Sequence, residues 1–513
     1  MKKVSFVKFI AAIIILVLGS CSVLRKESIW EKDDLSLFEY IFEKLNDKSD
    51  YGSDLSNLND KEKVFMSMAL LEQEVNNGGF DQYFFNLGDI YNDILVSSAE
   101  AIKAYDIAEI CKKALAVYAE HSEQEDNIEE LKTGFVPAKK DKRALVVVSH
   151  LANGYLSYRP ETESYVIRLY KDKTGVVADT LKTIPAGKFL TQPSVMKETL
   201  QYVKDNFKSD HYGMVFSSHA TGWLPEGYYN NPVSNPSASS ATMQAPRRSL
   251  DLPEGSVLYY EPEHVPGMPL TKSIGQEDTY SGDTKISYEM KQTDFVANIP
   301  MHLDYIVFDA CLMGCIETAY ELRGVCDKVA FSPAEVLQYG FQYKTLASHL
   351  LEGEPDVYKA CKDFFDKYDK QTGVMRSATI TLVDCTKLDK VASLCKDYFS
   401  RYRSQIAAVY PSQVQRYFRS FHHWFYDLED ILIKAGITDS EKSILEQALD
   451  QCILYKAATP TFLLPSATSV GTNDGFRIDV YSGFSMYLPC NGSAYLDEFY
   501  KTLAWNKATG LVQ

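Results

Sequence analysis

Positive charge is in short supply in this chain. Against 69 Asp and Glu stand 53 Lys and Arg, which leaves a formal net charge of −16 and an isoelectric point near 5.1. Such a surface repels a phosphate backbone, so no nucleic acid is expected as a direct ligand. Cysteine is also sparse, ten in 513 residues, too few and too scattered for a disulfide scaffold. Cys111, Cys315, Cys326, Cys361, Cys385, Cys395, Cys452 and Cys490 mostly stand in apolar or helical contexts, where a buried thiol is the default. There is no CxxC pair and no His-rich pair at zinc spacing, so no metal site is expected. Beyond the N-terminus no apolar run reaches the roughly 18–20 residues a spanning helix needs, and no internal repeat is visible. An apolar content of 45% over this length is enough for more than one core, so two domains are expected.

What is present begins with a targeting segment. Lys2, Lys3 and Lys8 supply a positive region and Phe9 to Leu18 an apolar one. The run ends Leu18-Gly19-Ser20-Cys21, which resembles a bacterial lipoprotein signal over residues 1–21. The resemblance implies cleavage before Cys21, lipidation of that residue, and anchorage at the bacterial cell envelope, outer membrane or cell surface, without a spanning helix.

Residues 28–135 read as a separate small all-α unit. Phe38, Ile41, Phe42 and Leu45 keep helical spacing, as do Val64, Met68, Leu71 and Val75. Asn76-Asn77-Gly78-Gly79 predicts a break in the second helix. Phe80, Tyr83, Phe84 and Phe85 follow as an aromatic cluster expected in the core, and Ser98 to Ala119 as a further helical stretch. Between Glu31 and Lys132 stand 24 acidic and 9 basic side chains, nearly the whole net charge of the chain. VNNGGFDQYFFN, Val75 to Asn86, resembles the signature of a small helical family of mostly unknown function, one member of which is described as a DNA mimic. A solvated acidic surface is the plainer reading of this charge; a DNA-mimic role or docking of a protein partner is the alternative. Glu120 to Arg143 reads as a charged linker.

From residue 140 to 513 the rhythm changes to strand, helix, strand, which argues for an α/β layered fold. Ala144 to Val148 is expected as a buried strand, Tyr165 to Leu169 and Val176 to Ile184 as further strands, and Val195 to Phe207 as a helix. Residues 223–294 read as a long loop, a length that is usually functional or mobile. The organising stretch is His302 to Glu317, HLDYIVFDACLMGCIE: an apolar run with the composition of a buried parallel strand, leading into Asp309, Cys311 and a helix from Ile316. A second strand, through Met214, Val215 and Phe216, leads to His219. Reactive groups in open α/β sheets sit beyond the carboxyl ends of strands, and a thiol beside an imidazole is a nucleophile with its acid and base.

These two segments, SSHATGW and FDACLMG, resemble the active-site signatures of the clostripain family of cysteine peptidases. VAFSPAE (Val329 to Glu335), FYDLEDI (Phe425 to Ile431) and GFSMYLP (Gly483 to Pro489) extend the resemblance over roughly residues 140–510. It implies a caspase-like fold with a mainly parallel central sheet, Cys311 as nucleophile and His219 as general acid and base. The N–H groups of Cys311 and of Ala220 would meet the oxyanion. Relatives commonly have Gly where Ala220 stands, and Asp309 is read as a carboxylate that fixes its loop. Well-known relatives cut after Arg or Lys, using a carboxylate soon after the SPAE-like segment. This chain has no acid from Leu337 to Tyr343, which leaves Glu335, Asp427 or Asp430 as substitutes. Many relatives cut themselves in the region matching 225–290, which here contains Arg247-Arg248. No cofactor is expected, and calcium, required by some relatives, is not readable from any ligand pattern. The leading expectation is a membrane-anchored cysteine endopeptidase acting on peptide or protein. The alternative is an inactive caspase-like lipoprotein that binds a partner through its acidic module.

Overall fold

The computed structural model describes residues 34–49, 52, 54–122, 127–150, 163–218, 220–225, 256–258, 276–281, 284–337, 339–419, 423–464 and 475–513. The signal segment with Cys21, the residue His219 and most of segment 225–290 lie outside the described residues. The chain divides into two compact units, one built on residues up to Glu125 and the other on those from Asp126.

In the first unit, helix α1 (Asp34–Lys48) buries Leu37, Ile41 and Leu45 along one stripe. Helix α2 (Asp60–Ala101) starts at a capping box: the Asn59 side chain accepts from the Lys61 and Glu62 N–H groups, and Glu62 accepts from the Asn59 N–H at 2.9 Å. The helix break expected at Asn76–Gly79 does not occur, and α2 runs through it for 42 residues. Phe65 and Met68 before the glycines, and Tyr83, Leu87, Tyr91 and Leu95 after them, are all buried. Burying one continuous face outweighs the roughly 1 kcal/mol that each helical Gly costs. Tyr83 and Phe84 are core, as the spacing predicts, with ring centroids 5.4 Å apart. The break comes later instead: α2 ends at Ala101, Lys103 turns the chain at φ 60°, and α3 spans Tyr105–Ser122.

The second unit opens with α4 (Asn127–Thr133), inside the segment read as linker. Its Ile128, with Val136, buries against Ile167 and Leu169. Strands β1 (Leu145–His150), β2 (Ser164–Lys171) and β3 (Val176–Ile184) form their own antiparallel meander. β1 is therefore not the buried strand its apolar run suggested; Leu145 to Val148 are half-buried. Helix α5 (Pro193–Asn206) begins with a proline, which fits a first turn because its missing N–H has no intrahelical partner there. β4 is Gly213–Ser217. Within the expected long loop lie β5 (Ser256–Leu258), β6 (Gln276–Ser281) and β7 (Thr284–Glu289), an antiparallel sheet in the order β5-β7-β6.

Then come α6 (Gln292–Ala297), β8 (Leu303–Asp309), α7 (Ile316–Leu322), β9 (Cys326–Phe331), α8 (Tyr343–Leu351), α9 (Val357–Asp369), β10 (Thr379–Asp384) and α10 (Leu388–Arg401). β11 (Tyr426–Asp427) and β12 (Ile453–Ala458) follow. The central sheet has the order β12-β10-β9-β8-β4. β4, β8 and β9 are mutually parallel and β10 pairs antiparallel with both β9 and β12, so four of the five strands point the same way and β10 alone is reversed: the sheet is mixed but mainly parallel, as expected. Apolar runs predict burial on both faces, not direction, and β10 is as buried as its parallel neighbours. Near Phe476 and Phe484 the strands are two-residue pairings, and the chain closes on two helices, Ala494–Tyr500 and Ala504–Thr509. Among the described residues no helix is long and apolar enough to cross a membrane.

Candidate active site

β4 and β8 lie side by side in parallel register, with Gly213 opposite Tyr305 and Ser217 opposite Asp309. The loops that follow both strands therefore leave the sheet at its same, carboxyl end. Cys311 stands two residues past Asp309 and is 2% exposed. Its Sγ accepts the Val336 N–H at 3.1 Å and lies 3.6 Å from the Val336 carbonyl oxygen. The next residue, Leu312, has φ 61°, a conformation costing an L-residue about 1–2 kcal/mol. It is held there by its N–H to the Ala334 carbonyl at 3.0 Å, and two residues on the Gly314 N–H bonds Ser332 at 2.8 Å. The Cys311 loop is thus zipped along the Ser332 to Val336 segment that leaves β9.

The loop after β4 packs on the same feature. Gly222 has φ 59°, and a Cβ there would stand 2.5 Å from the Leu312 carbonyl oxygen, so only glycine lets the two loops approach this closely. Ala220 is buried in this loop. Trp223 packs against both Tyr487 and Tyr500, with ring centroids at 4.8 and 5.1 Å. Both tyrosines bond Glu317 at the start of α7: the Tyr487 N–H at 2.9 Å and the Tyr500 hydroxyl at 2.6 Å. Glu317 is fully buried, and burial pushes its carboxyl up to about 7. The same burial pushes the neighbouring Cys315 thiol up, which keeps it a protonated core residue bonded to Thr318 at 2.9 Å. The histidine loop and the cysteine loop are therefore braced by one buried network.

Asp309 is fully buried, and its Oδ2 accepts the Tyr343 hydroxyl at 2.9 Å. Burial first, and then the Asp309 charge, hold that hydroxyl well above the usual tyrosine range, so it stays a donor. Of the three acids considered for a substrate cation, two are built into the scaffold. Asp427 accepts from the Tyr417 hydroxyl at 2.6 Å and from the Ser482 and Asp430 N–H groups at 2.8 and 2.9 Å. Asp430 accepts the Gln415 N–H at 2.7 Å and stands 3.7 Å from Lys434. Only Glu335 of the three adjoins Cys311, one residue before Val336, and its carboxylate lies 3.4 Å from the Arg419 guanidinium. Val336, Tyr343, Glu317 and Arg419 were not singled out from sequence. Val336 and Tyr343 act through the backbone or from a neighbouring helix, and only the Glu in CIE and the motif GFSMYLP carried a signal for Glu317. Among the described residues no cluster of three or more His, Cys, Asp or Glu is arranged to hold a metal.

Comparison with known proteins gives this geometry a family. Residues 260–510 match the model of the clostripain family, and residues 56–145 that of DMP19-like proteins. No curated protein matches significantly. Among solved structures, the chain is similar to an inactive zymogen C11 protease from Parabacteroides distasonis. The identity is 22% and the TM-score 0.56, over 77% of this chain and 94% of that one. The secreted C11 cysteine protease iotapain from Bacteroides thetaiotaomicron is 21% identical with a TM-score of 0.54, over 75% and 93%. A secreted C11 cysteine protease from that species, solved with an irreversible peptide inhibitor, is 21% identical with a TM-score of 0.55, over 77% and 95%. At these identities the structures establish a shared fold. Residues 260–510 thus match the clostripain family of cysteine-type endopeptidases, behind a DMP19-like match over residues 56–145.

Proposed function

We propose that the chain is a lipid-anchored endopeptidase of the cell envelope that hydrolyses peptide bonds through a Cys311–His219 dyad. The observation that carries this reading is the parallel register of β4 and β8. Ser217 and Asp309 are paired, and Cys311 follows one of them by two residues as His219, in sequence, follows the other. Sγ of Cys311 attacks the substrate carbonyl, and the oxyanion is met by the N–H groups of Cys311 and Ala220. The imidazole of His219 takes the thiol proton and delivers it to the departing amine; water then releases the acyl group from sulfur. Asp309 and Tyr343 hold the strand end that carries the thiol. Lipidation at Cys21 would tether the enzyme to a membrane, and the 225–290 segment is the proposed place of self-cleavage.

The test compares wild type with Cys311→Ala on a mixed peptide library read by mass spectrometry. Cleavage by wild type alone is expected, together with a fall in rate of at least about a thousandfold in the variant. Equal cleavage by both proteins, or none by a folded wild type supplied with reductant and calcium, overturns the enzyme reading in favour of a non-catalytic binder.

A further inference from the structure

The peptide unit joining Glu335 to Val336 lies against the nucleophile, since the Val336 nitrogen is 3.1 Å from Cys311 Sγ. Covalent geometry then keeps the Glu335 Cα within about 5.5 Å of the sulfur. A glutamate side chain extends about 5 Å from its Cα, so the carboxylate stands within about 10 Å of the sulfur, a span that an extended Lys or Arg of a bound substrate also covers. Glu335 is thus where a carboxylate would stand to select a basic residue before the cut. That carboxylate already has a cation. Arg419 Nε is 3.4 Å from it, and the two side chains are only 15% and 5% exposed. Arg419 is itself fixed: its carbonyl accepts the Arg416 guanidinium at 3.3 Å, and Arg416 bonds the Gly475 carbonyl at 2.9 Å while lying over the Phe476 ring. An ion pair buried to this degree strongly resists exchange, because separating it leaves a desolvated charge behind.

We propose that Arg419 is a specificity-determining residue: it neutralises Glu335 from within the chain, so the site prefers an uncharged side chain before the cut over Arg or Lys. A substrate arginine would have to displace Arg419 and would meet its positive charge. A substrate without charge meets a closed pair and loses nothing. The proposal rests on the peptidase reading above and deepens it by naming what the pocket selects. It also separates this chain from the basic preference that the resemblance implies. Removing one partner at a time would push selectivity in opposite directions: without Arg419 the Glu335 carboxylate attracts cations, and without the Glu335 charge the Arg419 guanidinium attracts anions.

The test uses the full chain in detergent, with matched fluorogenic peptides bearing Arg, Leu or Glu before the cut. Wild type, Arg419→Ala, Glu335→Gln and Cys311→Ala are assayed side by side. Wild type is expected to cut the Leu peptide faster than the Arg peptide. Arg419→Ala should raise the Arg-to-Leu ratio of kcat/KM at least tenfold, and Glu335→Gln should raise the Glu-to-Leu ratio instead. A merely structural role for the pair would lower all three rates together and leave the ratios unchanged, and that outcome overturns the proposal. So does a wild type that prefers Arg. Should Arg419→Ala fail to fold, the isosteric Glu335→Gln decides alone by its ratio. Absence of any Cys311-dependent cleavage overturns the peptidase reading itself, and this proposal with it.

Discussion

Glu317 carries the clearest residue-scale consequence. It is a carboxyl with no water around it, bonded by Tyr487 and Tyr500, and burial raises it from 4.5 to about 7. A carboxyl that is raised on folding takes up protons in the native state that the unfolded chain does not bind. Its contribution is therefore complete below the unfolded value and is lost as pH rises through the folded one. Between pH 4.5 and 7 it lowers stability by about 3 kcal/mol. Glu317→Gln keeps an oxygen for both donors and removes the charge. The variant should therefore gain on wild type by about that amount as pH rises from 4.5 to 8. Parallel denaturant titrations across that range read the difference, and a difference that stays flat would mean the carboxyl titrates normally. Glu429, also raised to about 7 by burial, is common to both proteins and cancels. At this scale much of the site was legible. Cys311 and Asp309 announce themselves by residue type at a strand end, whereas Ala220 enters only through the family resemblance. Val336 and Arg419 do not, because a backbone amide has no signature and one arginine looks like any other until its partner is seen.

At the scale of elements, the junction of α4 with α8 matters most, because α8 begins with Tyr343, the donor to Asp309. The Glu130 carboxylate accepts the Lys344 N–H at 3.4 Å, and Arg143 bonds the Leu351 carbonyl at the other end of the same helix. Gly134 comes closest: a Cβ there would lie 2.5 Å from the Lys344 carbonyl oxygen, and backbone cannot step aside cheaply. Gly134→Ala is expected to destabilise the second unit by about 1–3 kcal/mol, as overpacking does. A thermal melt detects the loss, and an unchanged midpoint would show that α4 is not pressed against α8. Nothing in the residues 127–133 foretold this. The stretch is short and charged, and its apolar contacts, buried Ile128 and part-buried Leu131, are recognisable only once β2 is alongside. The glycine pair in α2 teaches the converse: local propensity argued for a break, and a buried face running through it overruled the propensity.

For the whole molecule, the division at Glu125 and Asp126 makes a prediction about what folds alone. A chain beginning at Asp126 should melt cooperatively, because it keeps Ile128 and Val136 in their cluster with Ile167 and Leu169. One beginning at residue 140 loses both, at about 1.5–3 kcal/mol for each buried side chain. Differential scanning calorimetry of the two truncations checks this, and equal midpoints would return α4 to the status of a linker. The acidic excess gathered before residue 132 belongs mostly to the unit that the first truncation removes.

The sequence by itself determined the two-part plan, the α/β class of the second part, and the strand ends from which Asp309 and Cys311 emerge. Each of these is written in local features: periodicity, apolar runs and residue types at their ends. Only the tertiary structure decided that β10 runs antiparallel, that β1 stands apart from the central sheet, and that Arg419 meets Glu335 across 84 positions. Strand direction and ion pairing depend on how distant segments come together, and that information lies in the packed core rather than in any window of the chain.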